Sequence, residues 1–529
     1  MSYLPIKKLF GSPRRISIFL FVLVLLGIQG YISIKSGSVL FLDAPRCTPK
    51  VDRNLTFGIN LPVDNRPPII TELASAMRHS WKAYTNYAWG MDEVKVISRV
   101  GTHWMDASLT MIDSLDTLWI FNMTEEFNRC RDWITTQVNF DVDRDNSNVF
   151  ESTIRLLGGL LSAFHLSGEN VFLEKAKLIG SKLIVAFNSP SGLPYTNINF
   201  QTLHASLPSN GRIVALSEVA TLQLEFNELA MLLQNASIAR PAANVYRILD
   251  KVNKLSGLIS SDLNMYRPEY SLPSTITLGA RGDSYYEYLL KVWIQTGKKS
   301  DWLRNEYLTA VNGMREKLIR KSVPNGLTFV GELHGSRFST KMDHLVCFLP
   351  ATLAYGYLHG MPADHLELAM NLAETCFHMY NDTKTGLSPE IVHFNLANSD
   401  KSDFYIMRLD SFNLLRPEAI ESFFYLYQIT KNPKYQEWGK QIFRAFNTYS
   451  RVEPAGYAPL LNVQSEVPSY KDKMESFWIA ETLKYFLLLF DDSLATKYDL
   501  RKWVFNSEAH PFPLHSSGTI SVIQDLYNF

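Results

Sequence analysis

Apolar residues recur at spacings of three and four along most of this chain, the period of a helix with one buried face. Residues 218–234 are typical, with Leu222, Phe226, Leu229 and Leu233 on one side of the predicted helix. Seven such stretches stop at a Gly, Asn or Asp and are followed by a second helical run. The stops are Asn122, Gly168, Asn235, Gly297, Gly360, Asn432 and Asp492. Gly and Asn commonly sit just past a helix end, where the left-handed conformation suits them. The stops recur roughly every 65 residues, a period that stacked αα-hairpins produce. Seven helical hairpins without a strong strand pattern predict an all-α fold, an (α/α) barrel or toroid. The last stretch, residues 503–529, holds AHPFP and the β-like run GTISVI, and reads as an extended tail that closes or plugs the barrel.

One segment breaks the amphipathic pattern. Residues 16–34 carry no charge and are rich in Ile, Leu, Phe and Val. At about 1.5 Å per residue they span the hydrocarbon core of a bilayer. Lys7, Lys8, Arg14 and Arg15 precede them, which orients the short tail to the cytosol. The expected organisation is a cytosolic tail at 1–15, a transmembrane signal anchor at 16–34, a lumenal stem at 35–70 and the helical domain at 71–529. A cleaved signal peptide is the competing reading; its apolar region is usually shorter, and no clean small-residue cleavage site follows this one.

Bulk composition adds exclusions. Lys plus Arg and Asp plus Glu each number 52, a formal net charge of zero, so no nucleic-acid partner is expected. Four Asn-x-Ser/Thr sequons, at Asn54, Asn122, Asn235 and Asn381, all follow the apolar segment and fit a lumenal body. Four cysteines, Cys47, Cys130, Cys347 and Cys376, are too few for a disulfide scaffold but allow one or two bridges.

Acidic residues in apolar surroundings carry the candidate chemistry. Asp113, Glu151, Glu218, Asp283, Asp343, Glu418 and Glu481 each lie about one helix length upstream of a stop. They are therefore expected near the starts of first helices, which in a ring of parallel hairpins share one end, so that seven acids converge on a single mouth. Acids at helix starts also complement the helix dipole. The contexts of Glu151 and Glu481 are too apolar for a solvated face, however, and a buried carboxylate is normally paired, metal-linked or kept for chemistry. Glu151 with Arg155, and Asp283 with Glu287, share helix faces at i,i+4. Glu418 and Glu421 follow Arg416 and Pro417, and Glu390 repeats the Pro-Glu start outside the register. Convergent carboxylates with few basic partners suit glycoside hydrolysis or hard-cation binding. HExxH, CxxC and GxSxG are absent from the sequence, and Val292 stands where a P-loop before Gly297–Ser300 needs glycine.

The ordered segments IDSLDTLWI, VFESTIRLLGGLLSAFHLSG, SGLPYTNIN, LGARGDSYYEYLLK, KMDHLVCF, TGLSPE, LLRPEAIES, MESFWIAETLKY and SEAHPFP resemble the class I α-1,2-mannosidases, the family-47 glycoside hydrolases, from about Ser80 to Pro513. The resemblance implies an (α/α)7 barrel, an inverting mechanism and a calcium ion at the barrel floor. By motif, Glu151 resembles the general acid, acting directly or through a water, Glu418 the base that activates water, and Asp283 the third essential acid. Calcium is expected on the hydroxyl and carbonyl of Ser507, where the family usually has Thr. Asp113, Arg155, Glu218, Glu287, Glu390, Arg416, Glu421, Glu481 and Glu508 are expected around the sugar and its waters. Phe477 resembles the aromatic against the sugar's apolar face, though it also fits as a core residue. Cys347 and Cys376 match the family's disulfide; Cys47 and Cys130 have no counterpart.

Arg281 resembles the endoplasmic-reticulum branch, since Golgi members usually carry Leu there. The implied activity is removal of one middle-arm mannose from nine-mannose N-glycans on glycoproteins, in the membrane of the endoplasmic reticulum. The competing reading is a glycan-binding quality-control protein on the same fold with weak or no catalysis. A purely structural membrane scaffold would have no reason to bury so many acids.

Overall fold

The structure, a computed structural model, describes residues 67–207, 211–269 and 275–529. The apolar segment 16–34, its flanking tail, Cys47 and Asn54 lie outside these residues. Among the described residues no helix is long and apolar enough to cross a membrane.

Helix α1, Pro68–Tyr87, opens the body with proline at its first turn, where a missing N–H costs nothing. Seven inner helices follow: α2 Leu115–Ile120, α4 Gly158–Ser167, α6 Gln223–Leu232, α8 Asp283–Gln295, α10 Leu349–Leu358, α12 Glu418–Thr430 and α14 Leu483–Phe490. Each packs on the next, and α14 returns to α2, closing the ring. Behind them stand α3 Thr124–Gln137, α5 Asn170–Leu183, α7 Ala236–Leu249, α9 Asp301–Gly313, α11 Asp364–Asn381 and α13 Lys434–Tyr449.

The two layers differ in sequence for a physical reason. Inner helices are covered on both sides: every residue from Ser284 to Gln295, and all of α14, is buried. With no wet face they carry apolar residues on every side, and the charged residues among them are paired, as Glu287 is with Lys291. Outer helices keep one wet face, as in α13, where Tyr435, Gly439, Ile442, Phe443 and Phe446 turn inward.

All seven expected stops separate helices. Asn122, Gly168, Gly297 and Gly360 themselves have positive φ, whereas beside Asn235 and Asn432 the left-handed residue is the preceding Gln234 or Lys431. Asn235 instead caps α7, its side chain accepting from Ser237 N at 3.1 Å, and Asp491 caps α15, Asp492–Lys497. The seventh pair departs from expectation. Helix α15 is a single short run, and α1 packs on α14 in the place of an outer helix. The first element of the domain thus completes its last pair.

Tight turns lie at one end of the ring, so the returns from outer to inner helices lie at the other. These returns carry short antiparallel ladders, such as Ile213–Ala215 with Asp262–Asn264 and Lys341–Asp343 with Ile391–Phe394. The C-terminal tail is only partly β-like. Trp503–Phe505 pairs with Pro511–Pro513, but the GTISVI run expected as β is helix α16, Ser517–Gln524. Its apolar Ile520 and Ile523 are buried, and the period of three suits a helix lying on the barrel.

Candidate active site

The hairpin turn between Phe505 and Pro511 enters the barrel. Asn506 donates to Ile154 O at 2.9 Å and to Glu225 at 2.8 Å. The His510 ring lies between Asp113 at 3.2 Å and Asp116 at 2.8 Å, and Lys484 donates to Ala509 O at 2.7 Å. Contacts to the first, second, third and seventh inner helices, or the segments leading into them, centre the turn on the ring axis. Gly158 permits this approach: a Cβ there would meet Asn506 Nδ2 at 2.7 Å.

Above the turn lies a cavity of about 300 Å³, lined by Glu151, Glu218, Asp283, Glu418, Glu481 and Glu508 together with Arg155, Arg281, Arg416, Phe477 and Ser507. The acids belong where the starts of inner helices are expected. Asp283 and Glu418 are the first residues of α8 and α12. Glu151 leads into a π-helical segment, Ser152–Leu157, and Glu481 lies within another, Trp478–Thr482. Such widened turns are frequent at functional sites. Arg281, Leu415 and Ala509 adopt positive φ; Arg281 is itself a charged lining residue, and the other two flank Arg416 and Glu508. Held by the surrounding fold, this local strain aims the neighbouring side chains.

Two of the seven expected acids do not reach the cavity. Asp113 is fully buried one layer behind, accepting from Ser476 at 2.5 Å and from Arg155 at 3.4 Å. Asp343 turns to the back of the Gly279 turn, where it accepts from Ala280 N at 3.2 Å and pairs with Lys341 at 2.5 Å. From this segment Leu345 lines the cavity instead, while the buried His344 reaches Glu418. Glu287, Glu390 and Glu421 also stand behind the lining.

Three cations organise the acids. Arg155 donates to Glu151 at 2.7 Å, Glu508 at 2.5 Å and Ser476 at 2.9 Å. Arg416 grips Glu390 with bonds of 2.5–2.8 Å and faces Glu418 at 3.7 Å. Both guanidiniums lie 5.8 Å from the Phe477 ring, so that ring is part of the cavity wall rather than the core. Lys291, fully enclosed, pairs with Glu287 at 2.5 Å and lies 3.7 Å from Glu421. Arg281 is half-exposed and pairs with Asp262 at 2.5 Å across the rim. Glu218 accepts from Asn148 at 3.3 Å.

These environments separate the acids electrically. Burial pushes Glu418 up, but the His344 hydrogen bond at 2.9 Å and Arg416 outweigh it, holding Glu418 below the usual carboxylate range. Asp283 is pushed up to about 7, first by burial and then by the charges of Glu287 and Glu418. Burial raises Glu421 to about 8 despite Lys291, and raises Glu481 and Glu508 well above the ordinary value. The floor therefore holds more buried carboxylates than its cations balance. Ser507 lies on that floor, its hydroxyl 3.3 Å from Glu287 Oε2 and its N–H donating to Tyr288 at 3.2 Å. An all-oxygen, charge-excess floor fits a hard divalent cation.

His344, Ser476, Lys291 and Tyr380, which meets His344 at 2.8 Å, escaped the sequence reading. The first three lie inside the quoted motifs: His344 is adjacent to Asp343 and Lys291 four residues after Glu287, a local signal, whereas Ser476, five residues before Glu481, had none. Tyr380 had no local signal.

A sequence model of glycosyl hydrolase family 47 matches residues 76–514. The chain belongs to this family. It is 48% identical over 444 residues to the rat endoplasmic reticulum mannosyl-oligosaccharide 1,2-alpha-mannosidase, covering 83% of this chain and 67% of the relative. It is 41% identical to the Candida albicans mannosyl-oligosaccharide 1,2-alpha-mannosidase, covering 84% and 83%. Its fold matches the solved alpha-1,2-mannosidase from Trichoderma reesei with a TM-score of 0.79 at 25% identity, over 85% of this chain and 99% of that one. The disulfide expected from the resemblance joins Cys347 and Cys376, 5.9 Å apart at Cα; Cys130 is a free, buried thiol.

Proposed function

We propose that this family-47 glycosidase removes terminal α-1,2-linked mannose from high-mannose N-glycans, with inversion, during glycoprotein processing and quality control in the endoplasmic reticulum. The observation that carries the reading is the convergence of Glu151, Asp283 and Glu418, from three different hairpins, on one cavity walled by Phe477. Glu418 acts as the base: His344 and Arg416 keep it ionised, ready to take a proton from the attacking water. Glu151, oriented by Arg155, serves as the acid for the leaving oxygen, directly or through a water. Asp283, raised to about 7, holds a proton near neutral pH and assists that transfer. An inverting pair must stand about 6.5–9.5 Å apart to admit water, a span that residues on separate hairpins can provide.

Ser507, through its hydroxyl and carbonyl, is the residue to hold calcium, with Glu287, Glu421, Glu481 and Glu508 ordering the surrounding waters and sugar hydroxyls. When bound, calcium supplies six to eight oxygen positions that sugar hydroxyls can enter, orienting the ring. Arg281, with five donors in a fixed fork, reads the glycan branch from the rim. Residues 16–34 anchor the chain in the membrane with the catalytic body in the lumen.

The decisive experiment is digestion of the nine-mannose glycan by the purified protein, with and without chelator, followed by isomer mapping. One middle-arm mannose should be released, release should fail under chelation and return with calcium, and Arg281→Leu should relax the branch preference. Binding without release would replace this reading with the lectin-like one. Equal loss of all α-1,2-mannoses by the wild type would overturn the branch assignment.

A further inference from the structure

Away from the cavity, towards the turn end of the ring, three metal-ligating side chains meet around one buried carboxylate. Glu228, within α6, is fully buried. Its Oε1 lies 2.7 Å from His165 Nε2, near the end of α4, and 2.6 Å from His515 Nε2, just beyond the C-terminal hairpin. Its other oxygen, Oε2, is buried with no hydrogen-bond partner. Among the described residues no Lys or Arg forms an ion pair with Glu228. As a bare hydrogen-bonded clamp the arrangement is incomplete: both imidazoles spend a proton on one oxygen, and the other is left buried without a donor, which is unfavourable.

A second cluster, Asp92 with His103 and Asp106, makes the contrast. Asp92 accepts from the backbone N–H groups of Trp104, Met105, Asp106, Ala107 and Leu109, and Arg144 occupies Asp106. Those carboxylates are already supplied with donors, so the cluster is a loop brace. Of the two clusters, only that of Glu228 keeps a buried carboxylate oxygen without a donor.

We propose that His165, Glu228 and His515 form a structural site for a zinc-class divalent ion. Two imidazole nitrogens and one carboxylate suit a borderline transition metal and not calcium, which takes oxygen ligands. Ligand atoms around a tetrahedral ion at about 2.1 Å are about 3.4 Å apart. The present 2.6–2.7 Å contacts need to open by less than an ångström, or the free Oε2 can serve instead. His515 is 16% exposed, which gives an ion entry from solvent and leaves the fourth position to water.

The site has a structural logic. The family match ends at residue 514, and His515 is the next residue. Beyond it α16 lies on α6, Tyr527 donates to Asn227 at 2.9 Å, and Ser300 donates to Tyr527 O at 2.7 Å. The ion would pin the tail to two inner helices at the point where it leaves the family's domain. This inference does not depend on the glycosidase reading.

The test is zinc binding by the full chain, purified in detergent and stripped with chelator, in saturating calcium so that the Ser507 floor is occupied. Elemental analysis and competition with a chromophoric chelator should show one zinc ion per wild-type chain. His515→Ala and His165→Ala should weaken binding at least tenfold, and zinc should raise the wild-type Tm but not theirs. His515→Gln keeps a hydrogen-bond donor for Glu228 but no imidazole nitrogen. It should preserve the fold, measured by circular dichroism and glycan cleavage, while still losing the ion. No zinc on the wild type at micromolar free zinc, or unchanged stoichiometry and affinity in His515→Gln, would overturn the proposal.

Discussion

His344 shows how one side chain sets the state of another. Its Nδ1 meets Glu418 and its Nε2 meets the Tyr380 hydroxyl, so the ring is fixed from both sides. The hydrogen bond to Glu418 is the largest of the influences that bring that carboxyl down against burial. A bond to a charged group contributes about 1.5–3 kcal/mol, which corresponds to roughly tenfold to hundredfold in rate. His344→Ala should therefore lower kcat by about that factor and move the acid limb of its pH profile towards neutrality, because Glu418 then ionises at higher pH. His344→Gln, which still donates, should recover part of both. A fall in kcat with the acid limb unmoved would show that His344 acts on packing alone.

At the scale of elements, the C-terminal hairpin is held in the barrel by a closed charge network. Asp116 on α2 pairs with Lys484 on α14 at 2.9 Å and with His510 of the hairpin at 2.8 Å, all with no solvent exposure. Removing one partner of such a network strands a buried charge. Asp116→Asn should cost about 3–5 kcal/mol in urea unfolding; a loss below about 1 kcal/mol would mean that Lys484 finds another partner. The pH dependence has a definite sign. Burial pushes Asp116 up, but Lys484 and His510 bring it below 3.8, so its contribution is present above that pH and fades as pH falls further. Burial pushes His510 down, but Asp116 and Asp113 bring it above 6.5, so its contribution is complete below 6.5 and fades as pH rises through the elevated value. Hairpin docking should be firmest between about pH 4 and 6.5, and Asp116→Asn should flatten that optimum.

For the whole molecule, closure is the issue. Helix α1 buries Ile70, Leu73, Met77, Trp81 and Tyr84 and packs on α14, joining the two ends of the domain. At about 1.5–3 kcal/mol for each large apolar side chain, its docking contributes on the order of 10 kcal/mol. Total domain stability is about 5–15 kcal/mol. A chain begun at Trp89 should therefore show no cooperative unfolding transition, whereas one begun at Pro67 should unfold in one step. Cooperative unfolding and glycan cleavage by the shorter chain would refute the argument.

Much of this was legible from local pattern. The seven stops, the doubled helices and the acids at the starts of inner helices follow from periodicity and turn chemistry, which depend on near neighbours along the chain. The disulfide and the lining residues Glu151, Asp283, Glu418, Phe477 and Ser507 were marked by the motifs that resemble the family. What local pattern could not decide were relations between distant residues. Asp113 and Asp343 look like the other acids in sequence, yet only packing turns one towards Arg155 and the other towards Lys341. The GTISVI run became helical because the barrel offered an apolar surface that buries every third residue. α1 took the outer position on α14, although some 400 residues separate them, because a ring must bury both edges of its last pair. The sequence by itself determined the hairpins and the chemistry they carry. Tertiary structure alone decided which acids face the cavity, which cations hold them, and what closes the ring, because burial and charge pairing are properties of neighbours in space.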